Sequence, residues 1–490
     1  MKVYKWINEN IYGSIPVTKT EFDLINTKAF QRLRNIKQLG LAHLVFPTAD
    51  HSRFSHSLGV MHIIGRMAAH LRNKYQIFNT KEVDKLRIAG LLHDIGHYPL
   101  SHVGEKVYQL LTKKEAIITK KRKGNKNEEN ILHIASTELK QEDVNHEKLG
   151  KYVILNREEI KKILERDDFD PNEIAKIING EHINLAYDQL IHSGLDADRL
   201  DYLLRDTTQT GAKYGLVDLD YIIRMLSVGR DENDNVWIGI DKRAIHSIEH
   251  FLLARYFSYS QVTWHRTIRG FEIMATALFY EMAKRGMVYD SFEQLKRIVD
   301  TDNWINFNDN YFYQKISEFS NRINNELCNI LLFNLNNRRR AKLIYEEKDF
   351  RNGKAKSHSY AALENLIYKK RDEILKIANE HNIPEDFIFN QELSLKIDKI
   401  PSSTLLDITD ENKKETIMVI DKGKIFPISS LPSSIIHPLS ERSLYCLRLY
   451  VVDLFIGKTL EESNNLFDSF ISDFKRLYDN ELKFLKEKLP

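Results

Sequence analysis

The sequence predicts a mainly α-helical fold, with a helical catalytic core over residues 1–330 and a smaller α+β lobe over residues 331–490. Three observations predict it. Apolar residues recur at helical spacing through the first half, as in Phe22, Ile25, Ala29, Leu33 and Ile36. Beyond about Lys348 the pattern shifts towards short β-rich runs. The 490 residues, 42% of them hydrophobic, can bury a large core and more than one folding unit.

Taken in order, the spacing predicts helices over Thr18–Leu39, Ser55–Tyr75 and Lys81–His93, the last ended or bent by Gly96 and Pro99. The charged stretch Thr119–Asn130 reads as a surface loop, its basic run Lys120–Lys123 solvated. Helical patterning returns over Asp143–Leu204. A strand is expected at Val236–Asp241, after the polar turn Asp231–Asn235, and further helices over Lys242–Arg285. Thr416–Ile420 and Lys424–Ile428 flank Asp421-Lys422-Gly423 and predict a hairpin. Leu447–Phe455 reads as another strand.

Lys and Arg (72) nearly balance Asp and Glu (69), so the net charge of +3 does not favour a nucleic-acid partner. The two cysteines, Cys328 and Cys446, lack ligand spacing and read as thiols of a reducing compartment. Met1–Asn10 has no apolar signal region, and no apolar run approaches the roughly 20 residues of a membrane span. These features predict a soluble, cytoplasmic protein with no membrane partner.

Chemistry concentrates in four segments: His51-Ser52-Arg53-Phe54-Ser55-His56-Ser57-Leu58-Gly59; His93-Asp94-Ile95-Gly96-His97-Tyr98-Pro99-Leu100-Ser101-His102; His146-Glu147; and Asp196-Ala197-Asp198-Arg199-Leu200-Asp201-Tyr202, followed by Arg205-Asp206. A His-Asp pair ending an apolar helix can offer imidazole nitrogen and carboxylate oxygen to one divalent cation. Alone, such a pair is more often a capped helix with chance histidines. The fourth segment shifts the balance, because one of its carboxylates can close a metal site while the other groups meet a phosphorylated substrate. A salt-bridged amphipathic helix is its plainer reading. Asp196 and Asp201 read as capping or supporting groups, His51 as structural, and His62 and His70 as packing or surface residues.

Together with Phe30-Gln31-Arg32-Leu33-Arg34-Asn35-Ile36-Lys37-Gln38-Leu39-Gly40, these segments resemble the HD-domain superfamily, and within it the dNTP triphosphohydrolase branch. The likeness is strong over residues 1–60, 85–105, 140–150 and 190–215, weaker over 240–275 and faint beyond 330. Because the sequence reaches the HD-like segments almost at once, no SAM domain is expected ahead of the catalytic region. The resemblance implies metal ligands His56, His93, Asp94 and Asp198, holding Mg, Mn, Fe or Zn. It implies catalytic roles for His97, His102, His146 and Glu147. Phosphate contacts fall on Arg53, Arg199 and Tyr202, and sugar contacts on Gln38, Leu39, Tyr202 and Asp206. His265 and Arg269 match a substrate-binding helix loosely, since the human member has tyrosine where Arg269 stands.

The implied reaction is attack of water on the α-phosphorus, with departure of the 5′-oxygen and release of intact triphosphate. His146, held by Glu147 or a neighbouring acid, is the first candidate for proton donor, ahead of His97 and His102. Relatives are homo-oligomers with activating nucleotides at their interfaces. Gln31 and Arg34 match activator contacts, and Asn26 replaces a guanine-reading aspartate. Arg338 and Lys342, in a basic run, are candidates for an activator's triphosphate. A homo-oligomer is therefore expected, a tetramer by analogy. The alternatives are an HD phosphodiesterase or nuclease on cyclic dinucleotides, monophosphates or short single strands, and a nucleotide-sensing or nucleic-acid-binding regulator.

Overall fold

The structure, a computed structural model, describes residues 2–120, 131–136, 144–182, 184–231, 234–320, 325–353, 355–396, 416–440, 442–454 and 459–488. It is mainly α-helical, as the patterning predicts.

The chain opens with an antiparallel hairpin of β1 (Lys5–Glu9) and β2 (Gly13–Val17). The single helix expected over Thr18–Leu39 is instead three short pieces: Lys19–Ile25, Lys28–Gln31 and a 3-10 turn at Arg32–Asn35. Two threonines explain the break. Thr18 and Glu21 form a capping box, and Thr27 then caps a new helix through Phe30 N. Apolar spacing survives because the pieces bury one face, including Leu24, Ile25, Ala29, Phe30 and Leu33.

Helices at Arg53–Tyr75 and Thr80–Leu92 pack together as the central pair. The second starts on a capping box of Asn79 and Glu82. Beyond it the chain turns through Leu100 and Ser101, both at φ 56, into a helix at His102–Lys120. Thr119 and Lys120, expected in a loop, thus close a helix; the rest of that stretch lies outside the described residues. The helical pattern from Asp143, itself outside the described residues, resolves into helices at His146–Asn156, Glu158–Arg166, Pro171–Ile178, Leu185–His192 and Ala197–Thr210.

The remaining strands are β3 (Leu226–Arg230), β4 (Val236–Asp241), β5 (Lys342–Asn352), β6 (Ile388–Lys396), β7 (Met418–Asp421), β8 (Lys424–Pro427) and β9 (Arg442–Val451). The expected 416–428 hairpin is present as β7–β8. It adds in parallel to β4, at Ile240↔Val419 and Asp241↔Ile420, giving the order β3-β4-β7-β8. A sheet begun before residue 330 is therefore finished after it. The last strand starts earlier than expected, at Arg442, and sits between β5 and β6. Helices at His358–Tyr368, Arg371–Glu380 and Leu460–Lys488 cover this second sheet with Tyr360, Leu363, Phe467 and Phe470. Cys328 and Cys446 are free and buried. Among the described residues no helix is long and apolar enough to cross a membrane.

One close approach fixes the site. At Gly59 the Arg53–Tyr75 helix lies against the Ala197–Thr210 helix, and an added Cβ would collide with Asp201 Oδ1. Arg205 holds that carboxylate in place, so it has little freedom to give way. Gly59→Ala is therefore expected to lower stability by about 1–3 kcal/mol in urea unfolding, the usual range for overpacking.

Candidate functional site

The site is built outward from Asp201, which is fully buried. Arg205 donates to it through Nε (2.7 Å) and Nη2 (3.0 Å), and Tyr12 donates its hydroxyl at 2.7 Å. The remaining partner is His56 Nδ1, at 2.7 Å from Oδ2. A ring nitrogen that donates to a carboxylate fixes the ring's direction and aims Nε2 the opposite way. His56 Nε2 accordingly lies 2.9 Å from Asp198 Oδ1 and 3.9 Å from Asp94 Oδ2.

His93 is oriented by a different device. Its Nδ1 donates to Gly90 O, one turn back, at 2.8 Å. Its Nε2 is buried without a hydrogen-bond partner, 3.4 Å from Asp94 Oδ1 and 3.9 Å from Asp198 Oδ1. Arg53 Nη1 donates to Asp94 Oδ2 at 2.6 Å. The four expected ligands thus converge, and His56, His93 and Asp198 offer donor atoms within 4.8 Å of one another. Two imidazoles with carboxylates suit a borderline or hard divalent cation, so the residues fit the metal that the chemistry requires.

Electrostatics agrees with that geometry. Burial alone would raise the Asp94 carboxyl, but Arg53 and His93 hold it far below the usual range. Burial would likewise raise Asp198, and the bond from His56 pulls it down to about 2. Burial pulls His56 down, yet Asp198 and Asp201 together push it up to about 10. These carboxylates favour the protonated form of His56 in the metal-free protein, and a metal ion at Nε2 would compete with that proton.

A second group adjoins the first: His97, His102, Glu105 and His146. Glu105 Oε2 lies 3.2 Å from His146 Nδ1 and 3.0 Å from His102 Nδ1. His97 stacks on His146 with ring centres 4.1 Å apart. The acid holding His146 is therefore Glu105 and not Glu147. Successive helical residues diverge by about 100°, so Glu147 points elsewhere, towards His192 at 3.9 Å. Glu105 was missed in the sequence; its signal is the i, i+3 spacing from His102 on one helix face. Burial pulls His146 down, but Glu105 outweighs it and raises His146 to about 9. Burial, reinforced by Arg53 and His146, holds His97 well below the ordinary histidine value. That direction favours the neutral form of His97 and sets it apart from His146.

Both groups open into a cavity of about 520 Å³. Gln38, Leu39, Arg53, Arg199, Tyr202, Asp206 and Arg269 all line it, as do His97, His102, His146 and Glu147. Asp206 is held by His51 Nε2 at 2.8 Å, so His51 positions a residue that lines the cavity. Asp196 caps the Ala197–Thr210 helix and pairs with Arg199. Arg269 pairs with Glu272 at 2.9 Å.

His265 is the exception among the expected substrate contacts. It stands at the start of the Arg266–Lys284 helix and faces a different cavity, of about 940 Å³. Trp264, Ile268 and Arg269 turn to the catalytic side. Arg338 and Lys342 line the larger cavity with Arg339 and Arg340. Arg338 Nε donates to Leu44 O, and Lys342 Nζ to Asn464 Oδ1. Asn26, Gln31 and Arg34 line neither cavity. Asn26 closes the Lys19–Ile25 helix, and Gln31 accepts from Arg34, whose guanidinium covers Phe54. Within one chain the expected activator residues therefore do not form one site.

The HD domain family matches residues 53–206. An uncharacterized protein of Methanocaldococcus jannaschii is 32% identical over 313 residues, covering 64% of this chain and 57% of that protein. The deoxynucleoside triphosphate triphosphohydrolase SAMHD1 of Bos taurus is 48% identical over 101 residues, 20% of this chain and 17% of that protein. Among solved structures, a phosphohydrolase from Bacteroides thetaiotaomicron aligns with a TM-score of 0.62 at 25% identity, covering 91% of this chain and 99% of that one. The match spans little more than half the length of the curated relatives (57% and 52% for two of them).

The raised histidines set a pH dependence of stability. His146 (about 9) and His56 (about 10) hold protons in the folded, metal-free chain that they release near pH 6.5 when unfolded. Their contribution is complete below about pH 6.5 and is lost as pH rises through about 9 to 10. Thermal melts of chelator-treated protein should therefore show Tm falling from pH 7 to pH 10, and Asp201→Asn should flatten the part of that slope due to His56.

Proposed function

The chain belongs to the HD-domain superfamily, and from that premise we propose that it hydrolyses deoxynucleoside triphosphates to deoxynucleoside and triphosphate. One observation carries the reading. The metal-ligand group and His146, held by Glu105, share one cavity of about 520 Å³, the size of a nucleotide pocket. An extended groove, which a nuclease would need, is a different shape. The similarity to the bovine deoxynucleoside triphosphate triphosphohydrolase supports the same substrate class.

A divalent cation between His56, His93, Asp94 and Asp198 would polarise an α-phosphate oxygen and lower the pKa of a bound water. The protein's own groups do the rest. Arg53 and Arg199 set positive charge against the phosphates, where a guanidinium fork matches phosphate oxygens. His146, held protonated by Glu105, gives its proton to the departing 5′-oxygen. His102, on the same carboxylate and open to the cavity, can replace that proton. Gln38, Leu39, Tyr202 and Asp206, which line the cavity, form the sugar side, and the preference for a deoxyribose rests on the resemblance to the dNTP triphosphohydrolases.

The basic cavity around Arg338 and Lys342 suits the triphosphate of an activating nucleotide. Asn26 would not read guanine as a carboxylate does, because an amide offers both an acceptor and donors. A homo-oligomer, working in the cytoplasm, completes the reading.

The test is incubation with each dNTP, with pairs of dNTPs and with GTP, in Mg²⁺ or Mn²⁺, with products separated by chromatography. Deoxynucleoside plus intact triphosphate is expected, with no turnover by Asp198→Ala. Glu105→Gln should lower kcat by about 10²-fold or more, the usual worth of a positioned acid. Absence of turnover in every mixture, by protein that binds the metal, would overturn the reading.

A further inference from the structure

The first group of ligands leaves the second unexplained as a mere hydrogen-bond network. His97 is completely buried, yet neither ring nitrogen has a hydrogen-bond partner. A buried imidazole without partners loses its solvation for nothing in return, unless a ligand sits against it. Its neighbours supply that ligand's other contacts. His97, His102, Glu105 and His146 each offer one donor atom, all within 4.8 Å of one another. Three imidazoles and one carboxylate form the donor set of a borderline divalent transition metal. No residue is shared with the His56, His93 and Asp198 group. The two groups meet at Asp94, whose Oδ1 lies 3.4 Å from His93 Nε2 and 3.8 Å from His97 Nε2. An entry path exists, because the His102 side chain is 74% exposed and lines the cavity.

We propose that His97, His102, Glu105 and His146 form a second, inhibitory site for a divalent transition metal such as Zn²⁺. The inhibition, though not the site, rests on the proposed hydrolase reading. The atoms that would bind this ion are those that hold the catalytic proton. An ion bound there releases the proton of His146 to solvent and takes its place against Glu105. No proton then remains for the departing 5′-oxygen. The first ion therefore activates, and the second stops turnover. A hard cation such as Mg²⁺ favours oxygen ligands and leaves this nitrogen-rich site empty, so inhibition is specific to the softer metals.

The experiment counts metal. Chelator-treated full-length protein is equilibrated with increasing Zn²⁺ and the bound ion measured by mass spectrometry of the metal. Two ions per wild-type chain are expected, and one per chain in His102→Ala and in Glu105→Gln. Asp198→Ala should keep the second ion while losing the first. His102 is at the surface of the cavity, so its substitution does not threaten folding even if that of Glu105 does. In wild-type protein supplied with Mn²⁺, added Zn²⁺ should lower turnover at least tenfold as the second ion binds. One ion per wild-type chain at saturation, or two ions retained in His102→Ala, would overturn the site. Two ions with unchanged turnover would overturn the inhibition. If no dNTP is hydrolysed at all, the metal count still decides whether the site exists.

Discussion

A single buried carboxylate, Asp201, organises the catalytic end of this protein. A charge so deeply enclosed is tolerated only when its partners are complete, and here Arg205, Tyr12 and His56 complete them. Those partners come from three parts of the chain. Tyr12 belongs to the turn of the N-terminal hairpin, His56 to the first long helix, and Arg205 to the same helix as Asp201. Arg205 also reaches Glu9 on β1, which ties the hairpin down again. The result is one imidazole whose direction is fixed by four groups, and whose free nitrogen faces Asp198 and Asp94. Gly59 allows the two helices to approach closely enough for this.

The second histidine group uses the same chemistry to a different end. Glu105 stands where Asp201 stands in the first group, but it serves two histidines and lies next to the cavity. It favours the charged form of His146, while burial and neighbouring positive charge favour the neutral form of His97. The two stacked imidazoles are thus pushed in opposite directions by their surroundings. Gly96 contributes to this by letting the His-Asp turn press directly on the backbone of His146 and Gly150.

The mainly helical fold was legible from apolar spacing, whereas the candidate ligands His56, His93, Asp94 and Asp198 came from the family resemblance, the His-Asp pair and the acidic segment alone leaving a plainer reading open. What spacing could not supply was the partner of each side chain across space. Glu147 looked like the holder of His146 because it is adjacent in sequence, whereas Glu105 is adjacent in the fold. His265 and Arg269 share a helix start but face different cavities. The Thr18–Leu39 periodicity persisted through a break that Thr27 imposes by capping. The β7–β8 hairpin announced itself locally, but nothing local told that it would extend β4 across so many residues.

Anomalous diffraction from crystals grown with Mn²⁺ tests whether Asp201, through His56, aims four side chains at one metal ion. A peak is expected at coordination distance, about 2.0–2.2 Å, from His56 Nε2, His93 Nε2 and oxygens of Asp94 and Asp198. A peak bound by other residues, or a fully loaded crystal with none between these four, would contradict it.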